Sequence, residues 1–339
     1  ADSEGVEGRY YVFSPEELRG VLGEEEGRLF CEWFGVTKQG NFSGKSVLNL
    51  LRNSRFATPD ARMEEWCRRV REFRGKRASL LTDDKVLTAW NGLMIAALAK
   101  GFRVLGGRRY LAAAERCRRF LMEEVCDASS RLFVRWREGE AAHAGQLADY
   151  AFFAWGLLEL YAVSGDVSCV RDAARLAGVM ADLFWDEEAG GFFLYASDAE
   201  QLIARPKEVF DGAVPSGNSV AGLVLVRLAR LTGEERWRSL ADRQCAFLAG
   251  SAGRSPMGSS AALLALAEVL YPGGEVVCCL GEGESADAVL RLGSLYRAVV
   301  LVKTRENADV LAETVPFSAV YPVPGEGMRL YFCREGACS

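Results

Sequence analysis

A mainly α fold of stacked helical hairpins, an α/α toroid, is what this 339-residue sequence predicts, and three observations predict it. Long helical segments dominate from about residue 60 to 271. Each hairpin pairs a helix almost free of charge with a charged amphipathic successor, joined by a glycine turn; a helix so poor in charge must be buried on most sides, and its successor covers it. Three polar clusters each stand just ahead of a low-charge helix: Thr82-Asp83-Asp84-Lys85, His143 through Asp149-Tyr150, and Asp211 with Pro215-Ser216-Gly217-Asn218. Stacking the hairpins brings all three clusters to one end of the stack, facing one cavity.

The elements follow in chain order. Residues 8–13 read as a strand running into Ser14-Pro15-Glu16-Glu17, a capping box with proline at the first helical position. A helix over about 60–74 comes next. Residues 87–105 form the first low-charge helix and end at Gly106-Gly107; 109–124 buries Leu111, Ala114, Cys117 and Leu121 at helical spacing and turns arginines outward. The same grammar recurs in 147–163, closed by Gly165 and followed by 169–184, and in 219–231, closed by Gly233 and followed by 235–248. Glycine at these turns supplies a left-handed C-cap. Short strands are expected at 131–136 and 191–195, between an outer helix and a later inner one. A last helix covers about 257–271. After Tyr271-Pro272-Gly273-Gly274 the pattern changes to strands at 275–280 and 298–302 with amphipathic segments at 285–292 and 307–313. The expected organisation is therefore a toroid portion over 1–274 and a small α/β appendage over 275–339.

Composition excludes several classes. Half the residues are hydrophobic and 26% are charged, as in ordinary globular proteins. A net charge of −5 leaves no basic footprint for nucleic acid. No apolar run approaches the ~18 residues of a membrane span, and the polar opening Ala1-Asp2-Ser3-Glu4-Gly5 does not read as a signal peptide. Cys67, Cys117 and Cys245 fall inside helical apolar patterns, as small buried hydrophobes of a reducing compartment, so a cytoplasmic location is expected. Cys333 and Cys338 frame a turn; with no second ligand pair in view, no metal site is expected. There is no glycine-rich phosphate loop, nucleophile elbow or zinc signature, and no cofactor is expected.

Several stretches carry a family resemblance: 83–94 (Asp-Asp-Lys-Val-Leu-Thr-Ala-Trp-Asn-Gly-Leu-Met), Asp149-Tyr150-Ala151-Phe152, Gly190-Gly191-Phe192-Phe193, and Lys207-Glu208 through Asp211-Gly212-Ala213-Val214-Pro215-Ser216-Gly217-Asn218-Ser219. Together they resemble the YyaL-like, spermatogenesis-associated family of thioredoxin-domain-containing proteins. The resemblance implies an (α/α)6 toroid, similar to six-hairpin glycosidases and N-acylglucosamine 2-epimerases, joined to an N-terminal thioredoxin-like domain. About eight long helices are counted here where six hairpins need twelve, and the opening residues resemble a loop within the toroid. The chain is accordingly expected to be the C-terminal part of that toroid plus the appendage, with the missing N-terminal half and the thioredoxin-like domain as partners.

The expected site follows from the three clusters. Asp84, Asp149 and Asp211 are the candidate acid/base groups, although each precedes a helix and a helix N-cap also favours a carboxylate. Asp83, Lys85, Trp90, Asn91, His143, Tyr150, Glu208, Ser216 and Asn218 are the candidate ligand-binding groups. A tryptophan beside an amide suits a sugar ring, by stacking on its apolar face and bonding its hydroxyls. His143 is the sole histidine, so a two-histidine acid/base pair cannot be assembled from this chain. The leading expectation is a carbohydrate-active or sugar-binding toroid that hydrolyses or isomerises a small sugar-like ligand. The competing one is a non-catalytic scaffold that presents a substrate or partner to a thioredoxin-like domain in redox or protein quality control.

Overall fold

The computed structural model describes every residue except 1, 4, 52–59, 79, 201–202, 296–297, 335–336 and 339. The chain divides into two compact units, residues 1–83 and 84–339.

In the first unit β1 (Asp2–Ser3) pairs with β2 (Val6–Glu7). The strand expected at 8–13 shortens to β3 (Val12–Phe13), ahead of α1 (Pro15–Leu22) and α2 (Glu24–Trp33). The capping box is present: the Glu17 amide donates to Ser14 Oγ at 3.2 Å and the Ser14 amide to the Glu17 carboxylate at 2.8 Å. β4 (Ser46–Val47) pairs with β3, and α3 (Ala61–Gly75) is capped by Asp60. Phe13, Leu18, Phe30, Trp66 and Val70 form this unit's core.

The second unit carries the hairpins. β5 (Val86–Leu87) leads into α4 (Thr88–Leu105), which is followed by α5 (Arg108–Phe120). β6 (Phe133–Arg137) and β7 (Glu140–Ala144) join β5 in a three-stranded antiparallel sheet. Then come α6 (Leu147–Ser164) with α7 (Val167–Phe184), α8 (Gly217–Thr232) with α9 (Glu235–Arg254), and α10 (Ser260–Leu270). The low-charge helices α4, α6, α8 and α10 pack side by side as an inner row, and α5, α7 and α9 cover them. The unit is thus mainly α, with an inner row of low-charge helices covered by charged ones. Gly106, Gly165 and Gly233 end α4, α6 and α8 at φ of 72°, 69° and 71°, each donating its amide to the carbonyl four residues back. Close approach of α4 to α6 depends on Gly92 and Gly156: a Cβ at Gly156 would stand 2.6 Å from the Gly92 carbonyl oxygen.

Two expectations are corrected. Residues 191–195 are not a strand but an isolated bridge, Trp185 to Phe192, because the amide and carbonyl of Phe192 are taken by a side chain, Asn218. Nor does the chain divide after Gly274. Residues 275–339 do form an α/β segment, with β8 (Glu275–Leu280), α11 (Asp287–Leu295), β9 (Val299–Lys303), α12 (Ala308–Thr314), β10 (Met328–Arg334) and β11 (Ala337–Cys338) in sheet order β11-β10-β8-β9. But Val277, Cys279, Leu301 and Leu311 share one core with α6 and α8, and the Tyr161 hydroxyl donates to the Val300 carbonyl at 2.9 Å. The compact unit 84–339 therefore runs through Gly274, although Val276, Cys278, Leu280, Leu290, Val300 and Val302 also form a smaller core of the segment's own. The backbone pairs Cys333 with Cys338 across β10 and β11; the side chains of this pair lie outside the described residues.

Candidate functional site

The polar clusters do gather at the starts of inner helices, and there most of them are consumed in holding the helices together. Asp149 is 4% exposed. Its Oδ2 accepts from the Gln146 amide at 2.8 Å, closing the cap of α6, and its Oδ1 accepts from the Ala89 amide of α4 at 3.0 Å. Asp211 does the same further along the row: Oδ1 accepts from the Ser216 amide at 2.8 Å, and Oδ2 from the amides of Ala261 at 2.8 Å and Ala262 at 3.2 Å in α10. Each carboxylate thus ties the first turn of an inner helix to another segment and offsets the positive end of a helix dipole.

Burial pushes the Asp149 carboxyl up to about 6, against the opposing pull of the Gln146 and Ala89 amides. That value suits a general acid, but both oxygens are occupied by backbone amides, so the group is placed for structure. Asp149→Ala is expected to cost about 2–3 kcal/mol by leaving two amides without acceptors, as read by urea unfolding. A loss below about 0.5 kcal/mol would overturn the cross-helix cap. Because the folded value is raised, Asp149 contributes stability that is full below about 4 and lost as pH rises through about 6. Asp149→Asn should flatten the stability profile in that window.

The remaining expected residues separate into two groups. Asn218 is fully buried and spends its side chain on the 190s loop: Nδ2 donates to the carbonyls of Phe192 at 2.8 Å and Glu208 at 2.9 Å, while Oδ1 accepts from the Phe192 amide at 2.8 Å. Ser216 caps α8 through the Ser219 amide, and the buried Tyr150 hydroxyl accepts from the Leu132 amide at 2.9 Å. Asn91 is half-buried and bonds the Leu87 carbonyl and the Cys117 thiol. These side chains are inward and engaged. Asp84, in contrast, is exposed and pairs with Arg137 at 2.8 Å; Asp83, Lys85, His143 and Glu208 are exposed as well, and Trp90 is 65% exposed. The three aspartates therefore do not meet as an acid/base set around a closed space.

A second polar centre lies further along the same inner row. Lys100 and Arg103 of α4, Trp155 and Glu159 of α6, Arg227 and Arg230 of α8, and Glu268 of α10 line a cavity of about 510 Å³, with Leu290, Val299 and Val300 of the α/β segment contributing to its wall. Glu159 is 3% exposed, and its Oε1 accepts from Arg227 Nη1 at 2.6 Å, Lys100 Nζ at 2.7 Å and Trp155 Nε1 at 3.0 Å. Burial alone would raise its pKa, but Arg227 and Lys100 outweigh that and hold it down to about 2. Arg227 also grips Glu268 at 2.8 Å, and its own burial penalty is likewise overcome by the two carboxylates, so it stays charged. The cavity therefore offers an aromatic side chain, fixed charges and apolar walls together, the mixture typical of small-molecule sites.

Sequence reasoning missed this centre. The available signal was the isolated charges inside low-charge helices, namely Lys100, Glu159, Arg227 and Glu268. A charge on a buried helix has to find a partner. Among the described residues no cluster of histidine, cysteine or acidic side chains could hold a metal, and no helix is long and apolar enough to cross a membrane.

The fold and this cavity define a mainly α chain of stacked helical hairpins with a polar site on its inner row. No protein-family model matches it. The sequence is 28% identical to human spermatogenesis-associated protein 20 over 378 aligned positions, covering 98% of this chain and 48% of that protein. An uncharacterised Caenorhabditis elegans protein is 28% identical over 275 positions, 72% of this chain and 37% of its own length. The chain thus spans about half the length of the human relative. Among solved structures, cellobiose 2-epimerase from Spirochaeta thermophila aligns with a TM-score of 0.41 and 20% identity over 48% of this chain and 43% of that one. A GH76 α-mannanase of Bacteroides thetaiotaomicron aligns with 0.43 and 12% over 67% and 54%.

Proposed function

We propose that the inner-row cavity binds a small, sugar-like ligand and that this chain acts as the binding part of a sugar-handling toroid. The observation that carries the reading is the Glu159 centre: a fixed carboxylate, guanidinium and ammonium groups and the edge of Trp155 meet in a space of about 510 Å³, large enough for a mono- or disaccharide. Polyols are held this way, with charged groups on their hydroxyls and an aromatic or aliphatic wall on their C–H face.

The same geometry argues for binding ahead of hydrolysis. Glycoside hydrolysis needs one carboxyl that carries a proton near neutral pH. Glu159 is held ionised, and Asp149 and Asp211 have their oxygens on backbone amides. A role beside a thioredoxin-like domain, with the present chain holding the substrate, belongs to the same proposal.

Titration calorimetry with neutral mono- and disaccharides and sugar phosphates tests the reading. At least one compound should bind with a Kd in the micromolar to millimolar range, and Lys100→Met should weaken it about tenfold through loss of one charged hydrogen bond. Silence across the whole panel, from protein with an intact cooperative melt, would sink the proposal.

A further inference from the structure

The sugar cavity adjoins a second cleft of about 360 Å³, and Arg103, Ala162 and Leu290 line both. The cations of the first cavity are unequal. Lys100 and Arg227 are fastened to Glu159, and Arg230 donates to the Gly273 carbonyl at 2.8 Å. Arg103 instead stands 4.0 Å from Glu159 Oε2, beyond hydrogen-bond reach, and donates no hydrogen bond to any described residue. Its guanidinium carries five N–H donors. The side chain is 28% exposed, at the passage between the two spaces. The second cleft adds Arg108 and Arg291, which face one carboxylate, Asp287. Three guanidiniums against Asp287 and the more distant Glu159 still leave a net positive pocket next to a site already read as sugar-binding.

We propose that this cleft receives the phosphate of a phosphorylated sugar whose ring occupies the first cavity, with Arg103 as the principal phosphate contact and Arg108 and Arg291 beside it. The inference rests on the sugar-binding reading above and adds the ligand's class. Phosphate is the matching chemistry because guanidinium forks bind its oxygens in pairs, and its double charge offsets more than one arginine. A neutral sugar would offer Arg103 hydroxyl acceptors but no charge to offset the guanidinium. A sugar acid would bring one charge where a phosphate ester brings about two.

The test compares glucose with glucose 6-phosphate, and mannose with mannose 6-phosphate, by titration calorimetry on the full 339-residue chain, with glucuronate and inorganic phosphate as further probes. At least one phosphate ester should bind about tenfold or more tightly than its parent sugar. That preference should shrink as salt rises from 50 to 300 mM, since the contacts are ionic and partly exposed. Arg103→Gln and Arg291→Gln should each reduce the ester-to-sugar affinity ratio at least fivefold; taking the ratio cancels any general weakening of the fold. Neutral sugars that bind as well as their esters, or glucuronate that binds as tightly as the best ester, would overturn this inference and leave the sugar reading in place. Inorganic phosphate that binds as tightly as every ester would also overturn it, because the two sites would then be unlinked. Silence from sugars and esters alike would overturn the underlying reading.

Discussion

Replacing Glu159 by alanine is expected to destabilise the chain by about 3–5 kcal/mol, because it leaves the Arg227 guanidinium with one carboxylate in place of two and removes the acceptor of Lys100 and Trp155. Urea unfolding followed by circular dichroism reads the loss. Replacing Glu159 and Arg227 together by leucine and methionine should recover much of it, since well-packed apolar groups can replace a buried ion pair at little cost. The pH dependence supplies a separate check. The folded pKa of Glu159 is lowered to about 2 from an ordinary 4.5, so its contribution is full above about 4.5 and disappears as pH falls toward 2. The swing is on the order of 3 kcal/mol at 1.36 per unit. This window lies below that of Asp149 and has the opposite sign, so the two are separable in one titration series. If the alanine variant lost less than about 1 kcal/mol, the charge network would not be a structural centre of the inner row.

Asn218→Ala should cost a similar amount, about 3–5 kcal/mol, for a different reason. The amide side chain is the acceptor for the Phe192 amide and the donor for the carbonyls of Phe192 and Glu208, and Gln244 donates to it from α9. The bonds to Phe192 and Gln244 are deeply buried, and alanine leaves the two polar groups of Phe192 unpaired at about 1–3 kcal/mol each. Asn218→Asp should be no milder, because a carboxylate would face two carbonyl oxygens. Hydrogen exchange locates the effect: protection of the Phe192 amide should collapse to solvent-like rates in Asn218→Ala while that of α6 persists. Retained protection at Phe192 would show that some other group holds the loop.

Both variants bear on how the site was legible in the sequence. Asn218 and Asp211 stand out in the sequence as polar residues at the head of an apolar helix, and that much is local. Whether such a residue faces a ligand or a backbone amide depends on what the fold brings opposite it. For Asp149 the partner is Ala89, in a helix that starts about sixty residues earlier, and no spacing in the chain encodes that meeting. Glu159 illustrates the converse. It sits inside Leu158-Glu159-Leu160, a context that reads as one charge tolerated in an apolar helix. Only the side-by-side packing of α4, α6, α8 and α10 shows that Lys100, Arg227 and Glu268 occupy matching places on their helices and meet around it.

Periodicity, glycine placement and the alternation of low-charge and charged helices were determined by the sequence alone. They report on local geometry and on burial, which depend on neighbours within a few residues. The closing of α4, α6 and α8 at Gly106, Gly165 and Gly233 follows directly from them. The tertiary structure alone decided where the polar groups point, that Val277, Cys279, Leu301 and Leu311 join the hairpins' core, and that the cavity lies along the inner row. Those outcomes depend on which side chains are desolvated together, and the electrostatic cost of burying a charge is settled only by partners distant in sequence.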